Sequence, residues 1–155
     1  MAEALQLVAR VARRAAPSTR LEVLSHAKAG SVSRGVRTVL RLEGLAVFAV
    51  AVAAYAQFGA GWGLFAWLFL LPDLSCLAYL AGPRVGAAAY NAAHSYAGAL
   101  GLLAAGVLGA MPLVLAVALV WCAHIGFDRA LGYGLKYAAG FSETHLGRLG
   151  GADPW

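Results

Sequence analysis

Four apolar runs, separated by short breaks, set the plan of this chain. A bilayer core takes about 20 mostly apolar residues in helical form, and residues 40–58, 63–80, 85–108 and 112–131 each come close to or exceed that length. The breaks FGAGW, AGPR and GAMP are short and built from turn-forming residues, so consecutive helices are expected to run antiparallel as neighbours. The period-two alternation of a half-buried strand is not found. The pattern predicts an all-α, integral membrane four-helix bundle over residues 37–150, ending in a short tail.

Charge placement orients this bundle. Arg34, Arg37 and Arg41 precede or open the first run, Arg84 lies between the second and third, and Lys136 and Arg148 follow the fourth. The breaks around Gly59 and Gly109 carry no charge. By the positive-inside rule both termini and the Arg84 loop are cytoplasmic, and a multi-pass protein of the bacterial inner membrane is expected. Residues 1–36 form a separate basic extension with Arg10, Arg13, Arg14, Arg20 and Lys28. Leu5, Val8, Ala12 and Ala15 share one face of a helix over 2–16, so an interfacial amphipathic helix and a solvated basic arm are both open readings. Glu3 and Glu22 weigh against an organelle transit peptide.

Composition narrows the class. Of 155 residues, 61% are hydrophobic and 12% charged, against about 25% charged in soluble domains. Cys76 and Cys122 both fall inside apolar runs with no CxxC pair, which argues against a disulfide framework or zinc knuckle. The net charge of +5 fits cytoplasmic loops against anionic headgroups better than nucleic acid. The expected partners are the lipid bilayer and a lipophilic small molecule.

The few polar residues inside the runs carry the candidate chemistry. At 1.5 Å per residue, Asp73, His94 and His124 all lie about 10–14 Å from the cytoplasmic ends of their spans. Asn91, Asp128 and Arg129 lie nearer the cytosol, with Glu43 one turn into the first span. Asn91 and His94 are spaced i, i+3 and His124 and Asp128 i, i+4, so each pair shares a helix face. Gly98, Gly101 and Ala105 continue the face of His94, where another backbone is expected to approach. An intramembrane Asp or Arg costs roughly 2.5–3.5 kcal/mol on insertion scales and defaults to a functional role. Pro72 is expected to kink the second span, leaving Asp73 either to cap a resumed half-helix or to join a site. In the tail, His145 could close over the cytoplasmic mouth, with Lys136 and Tyr137 read as headgroup anchors.

Several chemistries suit this set. His94, His124, Asp128 and Asp73, with Glu43 nearby, make an N/O donor set for zinc, iron or manganese. It loosely resembles the carboxylate bundles with Glu-x-x-His motifs, although Asn91 stands in the Glu position. Without metal, either histidine could move protons with Asp73 or Asp128 orienting it, while Arg129 holds an anionic group. Proton- or ion-coupled transport through Asp73, His94 and His124 is the alternative, which in so small a bundle would call for a homo-oligomer. In an accessory subunit the same network would only fix helix register. The leading expectation is a membrane-embedded enzyme acting on a hydrophobic small molecule. Asp73, His94, His124, Asp128 and Arg129 are its catalytic candidates, and Glu43, Asn91 and His145 are further ones.

RLEGL (41–45), PDLSCLAYLAGPRVGAAAYNAAH (72–94), AHIGFDRALGYGLKY (123–137) and THLG (144–147) together resemble an uncharacterised family of small bacterial membrane proteins, a domain of unknown function. The likeness runs from about residue 37 to 150 with the blocks in the same order. It implies a four-helix membrane domain and no particular activity.

Overall fold

A first turn of Arg34, Gly35, Val36 and Arg37 opens helix α1 (Arg34–Phe58), in which Leu, Val and Ala predominate. This computed structural model describes residues 32–149; the basic arm and its amphipathic reading lie outside the described residues. Helix α2 (Trp62–Phe69) follows, then a 3₁₀ helix (Pro72–Ala81), α3 (Pro83–Ala93), α4 (Tyr96–Leu108) and α5 (Pro112–Leu131). Proline occupies the first position of the 3₁₀ helix, α3 and α5, where its missing N–H costs nothing.

Three stretches, Arg34–Phe58, Trp62–Ala81 and Pro112–Leu131, are long and apolar enough to cross a membrane. Their outward side chains include Trp67 at 81% exposure and Leu80 at 89%, an exposed apolar surface of the kind that marks a membrane or partner contact. The run expected to form one third span is instead two helices. His94 leaves helical geometry at φ −110°, ψ 13°, and the Ser95 hydroxyl starts α4 by accepting the Ala97 N–H at 3.2 Å. A serine cap is a strong helix-start signal, and here it outweighs the apolar run around it. The second span is interrupted where Pro72 predicts it. Leu71 and Leu74 donate to carbonyls three residues back, so the chain continues from Phe69 as a tighter helix and not a kinked α-helix.

Helix α5 is the centre of the bundle, packed against α1, α4 and α2, while α3 lies along the 3₁₀ helix. Its interior face is nearly all small or β-branched: Ala116, Ala118, Val120, Ala123 and Ile125 are fully buried. The α1–α5 contact closes on two glycines. A Cβ on Gly126 would lie 2.7 Å from the Phe48 nitrogen, and one on Gly44 would meet Arg129 and the Gly126 carbonyl. The close approach expected at Gly98 and Gly101 is not made. Gly98 meets the Trp121 ring and Gly101 has nothing within 4 Å, because the break at His94 restarts the helical phase and turns that face away.

A Schellman-type end stops α5. Gly132 takes the left-handed conformation (φ 97°, ψ 11°), its N–H reaches the Arg129 carbonyl, and the Tyr133 N–H reaches that of Asp128. The chain then doubles back. Lys136 pairs antiparallel with Thr144, and Glu143–Thr144 (β1) pairs with Gly147–Arg148 (β2). This small hairpin is the one departure from all-helical structure among the described residues.

Gly126→Ala is expected to destabilise the fold by about 1–3 kcal/mol through overpacking, read as a lower unfolding temperature in detergent. Gly101→Ala, in open space, is expected to leave that temperature unchanged or raise it slightly.

Candidate functional site

The tighter helix after Pro72 positions the first carboxylate. A 3₁₀ helix has three residues per turn, so side chains at i and i+3 eclipse; Asp73, Cys76 and Tyr79 therefore stand in one row. Asp73 does not cap the helix, whose N-cap is Leu71 without a side-chain bond. Its Oδ1 lies 3.5 Å from His94 Nε2 and 3.6 Å from His124 Nε2.

The break after α3 positions the first imidazole. His94 stacks on the Tyr90 ring, centroids 3.7 Å apart and nearly parallel, and its Nδ1 is 2.9 Å from the Tyr90 carbonyl. A carbonyl only accepts, so the proton sits on Nδ1 and the lone pair of Nε2 points into the bundle. From α5, His124 is held edge-on by Phe69 and His94. The two Nε2 atoms are 3.1 Å apart. One turn further, Asp128 places Oδ2 3.6 Å from His94 Nε2 and accepts the Tyr90 hydroxyl at 3.1 Å.

One ligand atom from each of Asp73, His94, His124 and Asp128 thus lies within 4.8 Å of all the others. Both histidines are 2% exposed, whereas the Asp73 side chain is 52% exposed, so the cluster is closed on the helix side and open at Asp73. The donors constrain what can sit there. His124 Nδ1 is buried with no hydrogen-bond partner among the described residues. If its ring proton sits on Nε2, it bonds to His94 and leaves Nδ1 an orphan acceptor. If the proton sits on Nδ1, two lone pairs and two carboxylates face one point, an arrangement that calls for a cation.

Other candidates go elsewhere. Arg129 donates to the main-chain carbonyls of His94 (3.3 Å) and Tyr133 (3.4 Å), capping the broken end of α3 instead of joining the four. Glu43, Arg129, Tyr96 and His145 line a second cavity of about 620 Å³ beside α1. Asn91 clasps the tail: its Nδ2 donates to the Lys136 carbonyl at 2.9 Å and its Oδ1 accepts the Lys136 N–H at 2.7 Å.

Two contributors were not read from the sequence. Tyr90 supports both His94 and Asp128, and its spacing four residues before His94 was the available signal. Lys136, expected at the headgroups, is 3% exposed. Its Nζ has no hydrogen-bond partner among the described residues and lies 3.7 Å from the Phe141 ring centroid and 4.8 Å from that of Tyr90. Burial pushes this ammonium below its usual pKa. An apolar cavity of about 240 Å³ is lined in part by Leu71, Pro72, Ala93 and Trp121, and Pro72 and Ala93 are the sequence neighbours of Asp73 and His94.

The family described as Domain of unknown function (DUF4260) matches residues 37–149, and the chain belongs to it. No curated protein and no solved structure matches.

The tail carries a pH response. Burial, and then the positive charge of Arg129, hold His145 below its usual pKa of 6.5, while its Nδ1 accepts the Leu135 N–H at 2.8 Å. The folded tail therefore binds its proton less readily than the unfolded one, so docking strengthens as pH rises through this window and is full above about 6.5. Hydrogen exchange at Leu135 and Lys136, corrected for intrinsic rates, is expected to speed up as pH falls below about 6.5. Asn91→Ala should speed it at every pH.

Proposed function

We propose that this chain is a membrane-embedded metalloenzyme acting on a hydrophobic small molecule. It passes the bilayer four times, with α3 and α4 together making the third pass. Both termini face the cytoplasm, and the arginines ahead of α1 and at Arg84 support that orientation. The expected location is a bacterial inner membrane. The observation that carries the reading is the convergence of four ligand atoms, two imidazole and two carboxylate, within 4.8 Å. Zinc, iron or manganese suits that donor set, whereas calcium prefers oxygen alone.

The chain's own residues divide the work. Tyr90 is a positioning residue: its carbonyl fixes the His94 tautomer and its hydroxyl holds Asp128, as outer partners of metal ligands do. The half-exposed Asp73 marks the side from which a substrate approaches. The cavity beside Pro72 and Ala93 receives its apolar body, since ligand pockets are mostly apolar with a few placed polar groups. A metal held here supplies Lewis acidity and lowers the pKa of bound water. Asp73, the carboxylate on the open side of the cluster, is then the group placed to exchange protons with a bound substrate.

The His94–His124 contact favours one other reading. Tyr90, Asp128, His94, His124 and Asp73 form a continuous chain of groups able to pass a proton, as a coupled transporter requires.

Elemental analysis of protein purified without chelators separates the two. About one transition-metal ion per chain is expected, with Tyr90→Phe lowering affinity by about 10–100-fold and His124→Asn lowering it further. Metal added at about 100 times its dissociation constant should stabilise the protein by about 2.7 kcal/mol. Metal-free protein with no thermal response to added metal contradicts the metalloenzyme, and proton flux in liposomes that needs Asp73 would then favour transport.

A further inference from the structure

The second cavity lies on the α1 side of the bundle, apart from the four-ligand cluster, and its lining has a specific chemistry. Three residues that carry hydrogen-bond donors line it. Among the described residues Arg129 makes two long bonds, at 3.3 and 3.4 Å, out of five N–H groups available to a guanidinium. The Tyr96 hydroxyl is buried with no partner among the described residues, a costly state for a polar group. His145 accepts the Leu135 N–H at Nδ1, so in its neutral form the ring carries its proton on Nε2 and is a donor there. Glu43 lines the same cavity and is exposed, and no ion pair joins it to Arg129 among the described residues.

Another pocket lies beside these groups. This wholly apolar groove of about 310 Å³ shares Ala46 and Val47 with the cavity and continues past Val50 and Leu103. A mostly apolar chamber that carries one cation, one anion and two uncharged donor residues therefore lies beside a groove suited to a hydrocarbon tail. Its anion is at the exposed rim and its cation further in.

We infer that this cavity and groove bind one glycerophospholipid with an amine in its headgroup: phosphate on Arg129, Tyr96 and His145, ammonium at Glu43, and an acyl chain along Val47, Val50 and Leu103. Arg suits phosphate through its planar fork of donors. The carboxylate is what selects an aminophospholipid, because an anionic headgroup would set a second negative charge against Glu43. The inference rests on the membrane reading of the chain and is independent of any metal. Through Arg129, which also holds the His94 carbonyl, an occupied lipid site stiffens the end of α3 that carries an imidazole of the cluster.

The test uses delipidated full-length protein in mild detergent, reloaded with dioleoyl phosphatidylethanolamine, dioleoyl phosphatidylglycerol or dioleoylglycerol, with bound lipid counted by native mass spectrometry. Phosphatidylethanolamine is expected to be retained about tenfold over phosphatidylglycerol, the size of one charge-assisted contact. Glu43→Gln should bring the two phospholipids within about twofold, and Tyr96→Phe should weaken both by about tenfold or less, the worth of one hydrogen bond. Equal retention of dioleoylglycerol, no retention of any lipid, or an unchanged preference in Glu43→Gln would overturn the inference. Metal counted on the same samples is expected to be unaffected by Glu43→Gln and Tyr96→Phe, so the two sites fail or stand separately. Protein that stays monodisperse without detergent would fail the membrane reading itself.

Discussion

Two buried imidazoles facing each other at 3.1 Å between Nε2 atoms are the constraint around which this fold is organised. Each ring is 2% exposed, and neither could hold that position without its own supports. His94 is aimed by the break that ends α3 and by the Tyr90 carbonyl. His124 is carried by a helix that reaches the centre of the bundle because Gly44 and Gly126 let α1 and α5 touch at their backbones. Asp73 arrives from a 3₁₀ helix and Asp128 from the next turn of α5. In a low-dielectric interior such a group of lone pairs is stable only with protons or a cation among them.

The polar residues of the chain sort into two sets with different chemistry. Asp73, His94, His124 and Asp128 form a compact donor cluster open on one side. Arg129, Glu43, Tyr96 and His145 line a roomier chamber that shares Ala46 and Val47 with an apolar groove. Arg129 belongs physically to the second set and touches the first only through the His94 main chain. The tail binds the two together. Asn91 clasps Lys136, and His145 takes the Leu135 amide, so the segment after Gly132 brings His145 to the second chamber.

Much of the cluster was legible before the structure because its signals are periodic. A common depth from the expected span ends groups Asp73, His94 and His124, and the i, i+4 spacing of His124 adds Asp128. The i, i+3 spacing of Asn91 to His94 does not carry over, since Asn91 turns to the tail. The Pro72 interruption was legible for the same local reason, since a missing N–H acts wherever it falls. The division of the third run was not. The Ser95 cap competes with an apolar stretch long enough to hide it, and hydropathy outweighs a single hydroxyl in any reading by window. The close glycine approach lies between α1 and α5, at Gly44 and Gly126, and not at Gly98 and Gly101. The burial of Lys136 was illegible for a different reason: it depends on Asn91, Phe141 and Tyr90 meeting in space, and nothing in GYGLKY alone distinguishes a lysine in an aromatic box from one at a membrane surface.

X-ray absorption at the metal edge of loaded protein addresses the central claim most directly. A first shell of nitrogen and oxygen at about 2.0–2.2 Å is expected, with the outer-shell signature of two imidazoles that falls to one in His124→Asn. A first shell of oxygen alone, or an imidazole signature that His124→Asn leaves unchanged, would contradict it.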